Sequence, residues 1–386
     1  MAKHSTIREP FIRIAQRRSM PLPGRWGIRL LGVLAGLLIS SIVILAFTDL
    51  DPFTVFRTMV ESNLGGADLE MQYRLKTFWV TIRDTVTLLL VALALAPAFR
   101  MKFWNIGGEG QILVGGLATA AVMKLCGDVM PSPLLFVTMI AASMLAGLIW
   151  GVIPAFFKAH WNTNETLFTL MMNYIALQLV SAFSIIWEAK QGSGSIGVIN
   201  RATKAGHMPT ILTDVFGSGN YIIHVAIVLL LCVVVYVYMS STKQGYELSV
   251  VGESENTARY AGINIKRVII RTMMISGALC GLAGFILVSG SSHTISTSTA
   301  DGRGFTAIIV AWLGQLNPLF MFIISYFLVF MDYGARGVAS ACRLNVAFSD
   351  IITGILLFCI LGCEFFIRYR VILRGRGQAP VVKEAK

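Results

Sequence analysis

Apolar residues run along this chain in long, barely interrupted blocks, without the strict alternation of a half-buried strand or the one-sided stripe of a surface helix. Blocks near 29–47, 78–99, 107–126, 134–157, 165–187, 221–239, 268–290 and 351–367 each run for 17 to 24 residues. About 20 apolar residues suffice for a helix to cross a bilayer's hydrocarbon core. One further block, Phe305–Met331, is 27 residues long but is broken by Gly314-Gln315-Leu316-Asn317-Pro318. The pattern predicts an all-α, polytopic integral membrane bundle of about 8–10 membrane elements, with a broken or re-entrant helix pair near 305–331.

Composition agrees with this reading. The chain has 386 residues, of which 55% are hydrophobic and 13% charged, whereas soluble domains carry about 25% charged residues. The six cysteines (Cys126, Cys232, Cys280, Cys342, Cys359, Cys363) form no CxxC pair, so neither a disulfide framework nor a metal site is expected. Leu30–Phe47 is followed by LAFTDLDP-type sequence with no small-residue cleavage site, which predicts a retained span and not a signal peptide.

The net charge of +12 is concentrated beside the membrane. Lys3, Arg8, Arg13, Arg17, Arg18, Arg25 and Arg29 come at the start, and Arg368, Arg370, Arg374, Arg376, Lys383 and Lys386 at the end. That distribution points away from nucleic acid and, by the positive-inside rule, puts both ends in the cytoplasm. The expected organisation is a basic tail (1–28), a membrane domain (29–367) and a second basic tail (368–386). A single crossing at 305–331 would place the tails on opposite sides, so two half-helices meeting at Asn317-Pro318 satisfy parity best. Thr48–Thr77 and Glu188–Asn220 then face outward, the latter as a plain loop or as a contact for an external partner.

The segment Gly245–Arg267 is long for a turn between two spans and holds the makings of a short helix around Glu253–Ala261. Ser254 is a cap, Glu255 lies in the first turn, Arg259 near the end, and Gly262 is the stop. Such a rod is about 13 Å long and too short to stand alone. It is either a docking surface or an ordinary loop.

Polar residues also fall in costly places. Trp104, Asn105, Glu109 and Gln111 lie among Gly107, Gly108 and Gly110, and a carboxylate at membrane depth is retained for a reason. Glu109 has two possible roles: a structural one near a helix N-terminus, or contact with cargo. Thr169, Asn173 and, loosely, Gln178 predict a polar stripe on one helix; Trp312, Gln315 and Asn317 form a third cluster. Gly147–Gly151 and Gly277–Gly281–Gly284 predict close helix packing. No GxxxxGK[ST], HExxH or GxSxG motif occurs, so nothing points to a catalytic site, a bound cofactor or a metal.

FWNIGGEGQILVGG, NETLFTLMMNYIA and VGESENTARYAGINIKR, in that order, resemble the permease subunits of ABC importers. The resemblance covers about residues 80 to 330 and is nearest the nucleoside and simple-sugar branch, related to the branched-chain amino-acid permeases. It implies a bacterial inner-membrane protein that is not itself an enzyme, together with a cytosolic ATPase, a second and different permease subunit, and an extracytoplasmic solute-binding protein. It further implies that the coupling loop 245–267 docks on the ATPase, through Gly252, Glu253, Glu255, Asn256, Arg259 and Gly262. The implied pathway is lined by Trp104, Asn105, Glu109, Gln111, Asn173, Trp312 and Gln315. Asp301-Gly302-Arg303-Gly304 departs from the sugar-permease pattern, and FTAIIVAWLGQLNP is closer to the nucleoside type. A nucleoside is the expected cargo; a sugar, or an ATP-independent carrier, is the alternative.

Overall fold

The structure, a computed structural model, describes residues 12–17, 21–48, 50–65, 70–211, 213, 220–341, 343 and 345–373. Of the basic residues in the two tails, Lys3, Arg8, Arg18, Arg374, Arg376, Lys383 and Lys386 lie outside these, as does Cys342. The chain divides into two compact units, Met1–Val60 with Gly334–Lys386, and Glu61–Tyr333.

The first unit is built on α1 (Leu22–Phe47) and α13 (Val346–Arg368). Gly32 and Gly36 bring these helices together: a Cβ on Gly36 would lie 2.9 Å from Leu356 Cδ2. Helix α1 starts at Leu22, within the stretch expected to be tail, because Pro23 is well suited to a first helical turn. Residues 12–16 and 369–373, beyond these helices, are not free either. Strand β1 (Ile12–Gln16) pairs antiparallel with β2 (Tyr369–Leu373), Ile14 opposite Val371. The fold is otherwise helical among the described residues.

The second unit contains α3 (Met71–Arg100), α4 (Gly108–Cys126), α5 (Ser132–Trp161), α6 (Glu165–Ile186), α7 (Ile222–Ser241), the short α8 (Lys243–Glu253) and α9 (Glu255–Tyr260), α10 (Ile265–Leu287) and α11 (Arg303–Leu313). Seven helices among the described residues are long and apolar enough to cross a membrane: α1, α3, α5, α6, α7, α10 with its extension to Ser292, and α12 (Pro318–Ala341). Helix α4 is of similar length. Thr48–Thr77, expected as an outer loop, carries α2 (Pro52–Leu64) and the start of α3.

The interrupted block is resolved unequally. Only α11, 11 residues or about 16 Å long, is a half-helix. Helix α12 runs on ten residues past the expected end, because Gly334, Ala335 and Ala339 pack inward while Asp332 and Arg336 stand one turn apart. The break is Gly314–Asn317, where Gln315 and Leu316 adopt left-handed backbone. The Asn317 side chain accepts from Leu319 N and starts α12.

Helix α10 is the axis of the second unit, buried over 89% of its apolar window. It packs on α5, α4 and α3. The expected glycine seams provide the contact: a Cβ on Gly147 would sit 2.3 Å from the Gly277 carbonyl, one on Gly281 2.2 Å from that of Ser143, and one on Gly284 2.3 Å from that of Ile112. Without side chains at the seam, helices approach to backbone contact and gain dispersion where lipid offers no hydrophobic drive.

Candidate functional site

The segment between α7 and α10 folds as two short helices. Thr242 caps α8 by accepting from Gly245 N at 3.0 Å, and Ser254 caps α9 by accepting from Thr257 N at 3.3 Å. Helix α9 has six residues, not the nine expected from the sequence, since Glu253 ends α8 and Ala261 closes α9 before Gly262 turns left-handed at φ +74°. Too short to persist alone, α9 is mounted on an apolar cluster in which Ala258, Leu248 and Val251 meet Met101, Phe103, Ala155, Val268, Ile269 and Met273. Two polar ties fix α8 below it. Arg271 pairs with Glu247 at 2.9 Å, and Arg100 Nε donates to Ser249 Oγ at 2.8 Å.

The rest of α9 is solvent-facing. Glu253, Glu255, Asn256, Arg259 and Gly262 are all exposed. Gly252 is not among these exposed residues. It is buried in α8, and a Cβ there would lie 2.1 Å from the Arg100 carbonyl, so it admits α8 to the end of α3. Clefts of about 490 Å³ and about 240 Å³ flank Glu255, the first walled by Lys158, Asn162, Arg259 and Lys266, the second by Lys102, Lys158, Gly252 and Glu253. Tyr260, absent from the sequence-derived set, is 94% exposed at the crest. Its signal was a bulky aromatic opposite the single inward-facing Ala258.

The amides expected along a pathway are brought together but turned inward. Asn105 Nδ2 donates to Ser276 Oγ at 3.1 Å, and its Oδ1 accepts from Gly107 N at 3.0 Å and from Gln111 Nε2 at 3.3 Å. Asn173 Oδ1 accepts from Gly110 N, and its Nδ2 donates to Ile106 O, both at 2.9 Å. Thr169 Oγ1 accepts from Ile106 N at 3.2 Å. These groups satisfy the irregular backbone of 103–110 at the mouth of α4, where unpaired amides would be costly. Gln178 does not join Thr169 and Asn173; it is exposed, because five residues of helix turn it well off their face. Glu109 is likewise engaged: its two oxygens accept from Gly302 N at 2.9 Å and Gly304 N at 2.8 Å.

The two tryptophans form the open part of the region. Trp104 and Trp312 stack with centroids 5.3 Å apart and planes 18° from parallel. Phe99 lies about 6 Å from both. Trp104 is 44% and Trp312 37% exposed, giving a flat aromatic face. Gln315 is exposed nearby in sequence and Asn317 is used as a cap, so that third cluster does not converge as polar groups.

A charged cluster also escaped the sequence reading. Arg83 and Asp84 stand together inside α3, joined by Nε–Oδ1 at 2.8 Å and Nη2–Oδ2 at 3.1 Å. Tyr333 donates to Asp84 Oδ2, Arg83 reaches the Tyr221 hydroxyl at 3.3 Å, and Arg303 approaches Asp84 Oδ2 at 3.5 Å. The available signal was two adjacent charges within an apolar block. On 188–211, Ile199 N donates to His293 O and Met208 N to Ser289 O, both at 2.9 Å, and Asn200 Nδ2 donates to Met123 O at 2.7 Å. This strap lies on the π-helical turn Val288–Ser292 that ends α10, with His207 and His293 stacked at 4.0 Å. At its start, backbone N–H groups of Gly192 and Gly194 hold the Glu188 carboxyl below the usual carboxylate range.

Residues 80–361 match the family described as branched-chain amino acid transport system / permease component. The chain belongs to this permease family. It is therefore the membrane-spanning subunit of an ABC importer and not an enzyme, the ATPase being a separate subunit. Among its relatives, the permease protein of a glucose ABC transporter from Haloferax volcanii is 29% identical, with 93% of each chain covered. A guanosine ABC transporter permease protein of Bacillus subtilis is 29% identical, over 75% of this chain and 82% of the relative. A nucleoside ABC transporter permease protein of Lactococcus lactis is 27% identical, over 81% and 84%.

Proposed function

We propose that this permease moves a nucleoside across the bacterial cytoplasmic membrane, paired with a second, different permease subunit and driven by an ATPase that grips α9. The observation that carries this reading is α9 itself. It is a capped single turn and a half, bolted to α3, α8 and α10 through its one buried side chain, with its other side chains offered to a partner between two clefts. A rigid peg of this kind passes a push from its partner directly into α7 and α10. In the cycle, an extracytoplasmic binding protein delivers cargo, ATP closes the ATPase pair, and the pathway changes the side on which it opens. Glu253, Glu255, Asn256, Arg259 and Tyr260 are the docking contacts.

Both ends of the chain are cytoplasmic in this reading, supported by the basic flanks and by the β1–β2 pairing, which keeps residues 12–16 and 369–373 together. Nucleoside cargo is supported by the names of the Bacillus and Lactococcus relatives and by the Trp104–Trp312 face, since a base stacks on aromatic rings. Asn105, Glu109, Gln111 and Asn173 then shape the pathway by fixing its irregular backbone. A simple sugar is the second reading, favoured by the near full-length match to the Haloferax permease.

The test is purification of the tagged chain in mild detergent with its co-purifying subunits, followed by reconstitution and uptake of labelled guanosine, adenosine, ribose and glucose. ATP-dependent guanosine or adenosine uptake supports the nucleoside reading, and glucose or ribose uptake the sugar reading. Loss of the ATPase from the particle when Glu253–Ala261 is altered locates the docking helix. A particle without ATPase in several detergents removes the proposal.

A further inference from the structure

The charged cluster on α3 has no place in docking or in cargo stacking, yet it reaches the half-helix that bears Trp312. Helix α11 begins with Gly302 at φ +69° and no side-chain cap of its own. Its first amides are capped from another helix, by the two oxygens of Glu109. Gly304 permits this, because a Cβ there would lie 2.3 Å from Glu109 N. Between the two glycines, Arg303 extends to Asp84 on α3, and residues 302–304 are thus held between two carboxylates.

The two attachments differ in strength. Asp84 is bound bidentately by Arg83 at 2.8 and 3.1 Å and by the Tyr333 hydroxyl. Arg303 is the remote partner at 3.5 Å, and its Nη1 also faces the Thr299 and Ala300 carbonyls at 3.5 Å. Withdrawal of Arg303 therefore leaves Asp84 paired and leaves the guanidinium with acceptors of its own loop. Neither charge is stranded, which is the condition for a buried ionic contact to open and close at small cost. At its other end α11 meets the left-handed turn at Gln315 and Leu316, a bend able to absorb rotation.

We propose that Asp84, acting through Arg303, is a positioning residue for translocation: it latches the N-terminal end of α11 and so sets where Trp312 stands against Trp104. Arg83 and Tyr333 keep the latch seat formed in both states. The inference rests on the transport reading above and adds to it the part that moves. The latched state is taken to be the resting one, so weakening the latch releases the ATPase from waiting for cargo.

The experiment uses the whole transporter in lipid nanodiscs and measures ATP hydrolysis without cargo, alongside thermal stability and subunit content. Arg303→Gln is expected to raise cargo-free hydrolysis about fivefold or more, the lower end of ordinary site-to-site coupling, in a complex of unchanged subunit content. Arg303→Lys is expected to restore the wild-type rate, and Tyr333→Phe, which keeps every charge, to give an intermediate one. Should Asp84→Asn fail to assemble, these three variants still decide. Wild-type hydrolysis in both Arg303→Gln and Tyr333→Phe overturns the latch, as does activity that falls only in proportion to the complex recovered. A wild-type complex that hydrolyses no ATP removes the transport reading, and this inference with it.

Discussion

Trp104 and Trp312 stack nearly parallel at 5.3 Å, although one sits in the irregular approach to α4 and the other at the end of the half-helix α11. Trp104 is 44% and Trp312 37% exposed, and the proposed role of this aromatic face is to stack a base. Replacing Trp312 by Ala is expected to raise the half-saturation of uptake about tenfold, the order of one lost aromatic–base stack. Trp312→Phe is expected to recover most of it. Uptake kinetics in reconstituted vesicles check this, and equal kinetics for all three proteins count against the stacking role.

Tyr260 crowns α9 and touches little of its own chain. Tyr260→Ala is expected to leave insertion and melting temperature unchanged while ATPase binding weakens by about tenfold or more, as for a central aromatic anchor. Binding of the purified ATPase to immobilised permease measures this directly.

Gly252 and Arg259 are expected to part company. Arg259 is exposed, with a 4.0 Å contact to Glu255, and Arg259→Ala is expected to reduce transport with little change in stability. Gly252→Ala forces a methyl against the Arg100 carbonyl and is expected to destabilise by about 1–3 kcal/mol. Thermal unfolding of the two variants separates them; equal melting temperatures refute the packing role of Gly252.

At the glycine seam, Gly147→Ala and Gly281→Ala each place a Cβ within about 2.3 Å of backbone on a neighbouring helix. Overpacking against backbone cannot relax by a rotamer change, so each is expected to cost about 2 kcal/mol or more. Gly354→Ala, where a Cβ meets nothing within 4 Å, is the neutral control in the same melting series.

The strap 199–208 is expected to loosen in acid. Burial, and the charge of His207 next to it, hold the His293 imidazole below the usual histidine range. A group with a depressed folded pKa binds fewer protons when folded, so its contribution is present above the ordinary histidine pKa and is lost as pH falls through and below it. Amide protection at 199–208, with exchange corrected for its intrinsic base-catalysed pH dependence, is expected to be lower near pH 5.5 than near pH 7.5, with the contrast reduced in His207→Asn. Equal protection of these amides at the two pH values in the wild-type protein refutes this.

Long apolar blocks made the membrane helices legible, and Ser254, Gly262 and the paired glycine seams were readable because capping, helix stops and close packing leave local traces. What the sequence could not display was direction. Asn105, Gln111 and Asn173 read as pathway polarity, yet each satisfies backbone amides that exist only once 103–110 folds. Small-residue continuation hid the last turns of α12, and six residues of α9 looked like nine because Glu253 suits either end of two adjoining helices. Arg83 and Asp84 were visible as charges, but their partners Arg303 and Tyr333 lie far along the chain.

The β1–β2 ladder and the α1–α13 contact join segments that leave the ribosome far apart in time. At ordinary translation speeds α1 waits on the order of tens of seconds, while every intervening helix is made, before α13 exists to receive it. Through that interval its Gly32–Gly36 groove lacks the α13 residues that fill it, and β1 lacks the strand it pairs with. Closure of this clasp is then among the final events of assembly, and a chain truncated before α13 keeps an open edge that quality control can recognise.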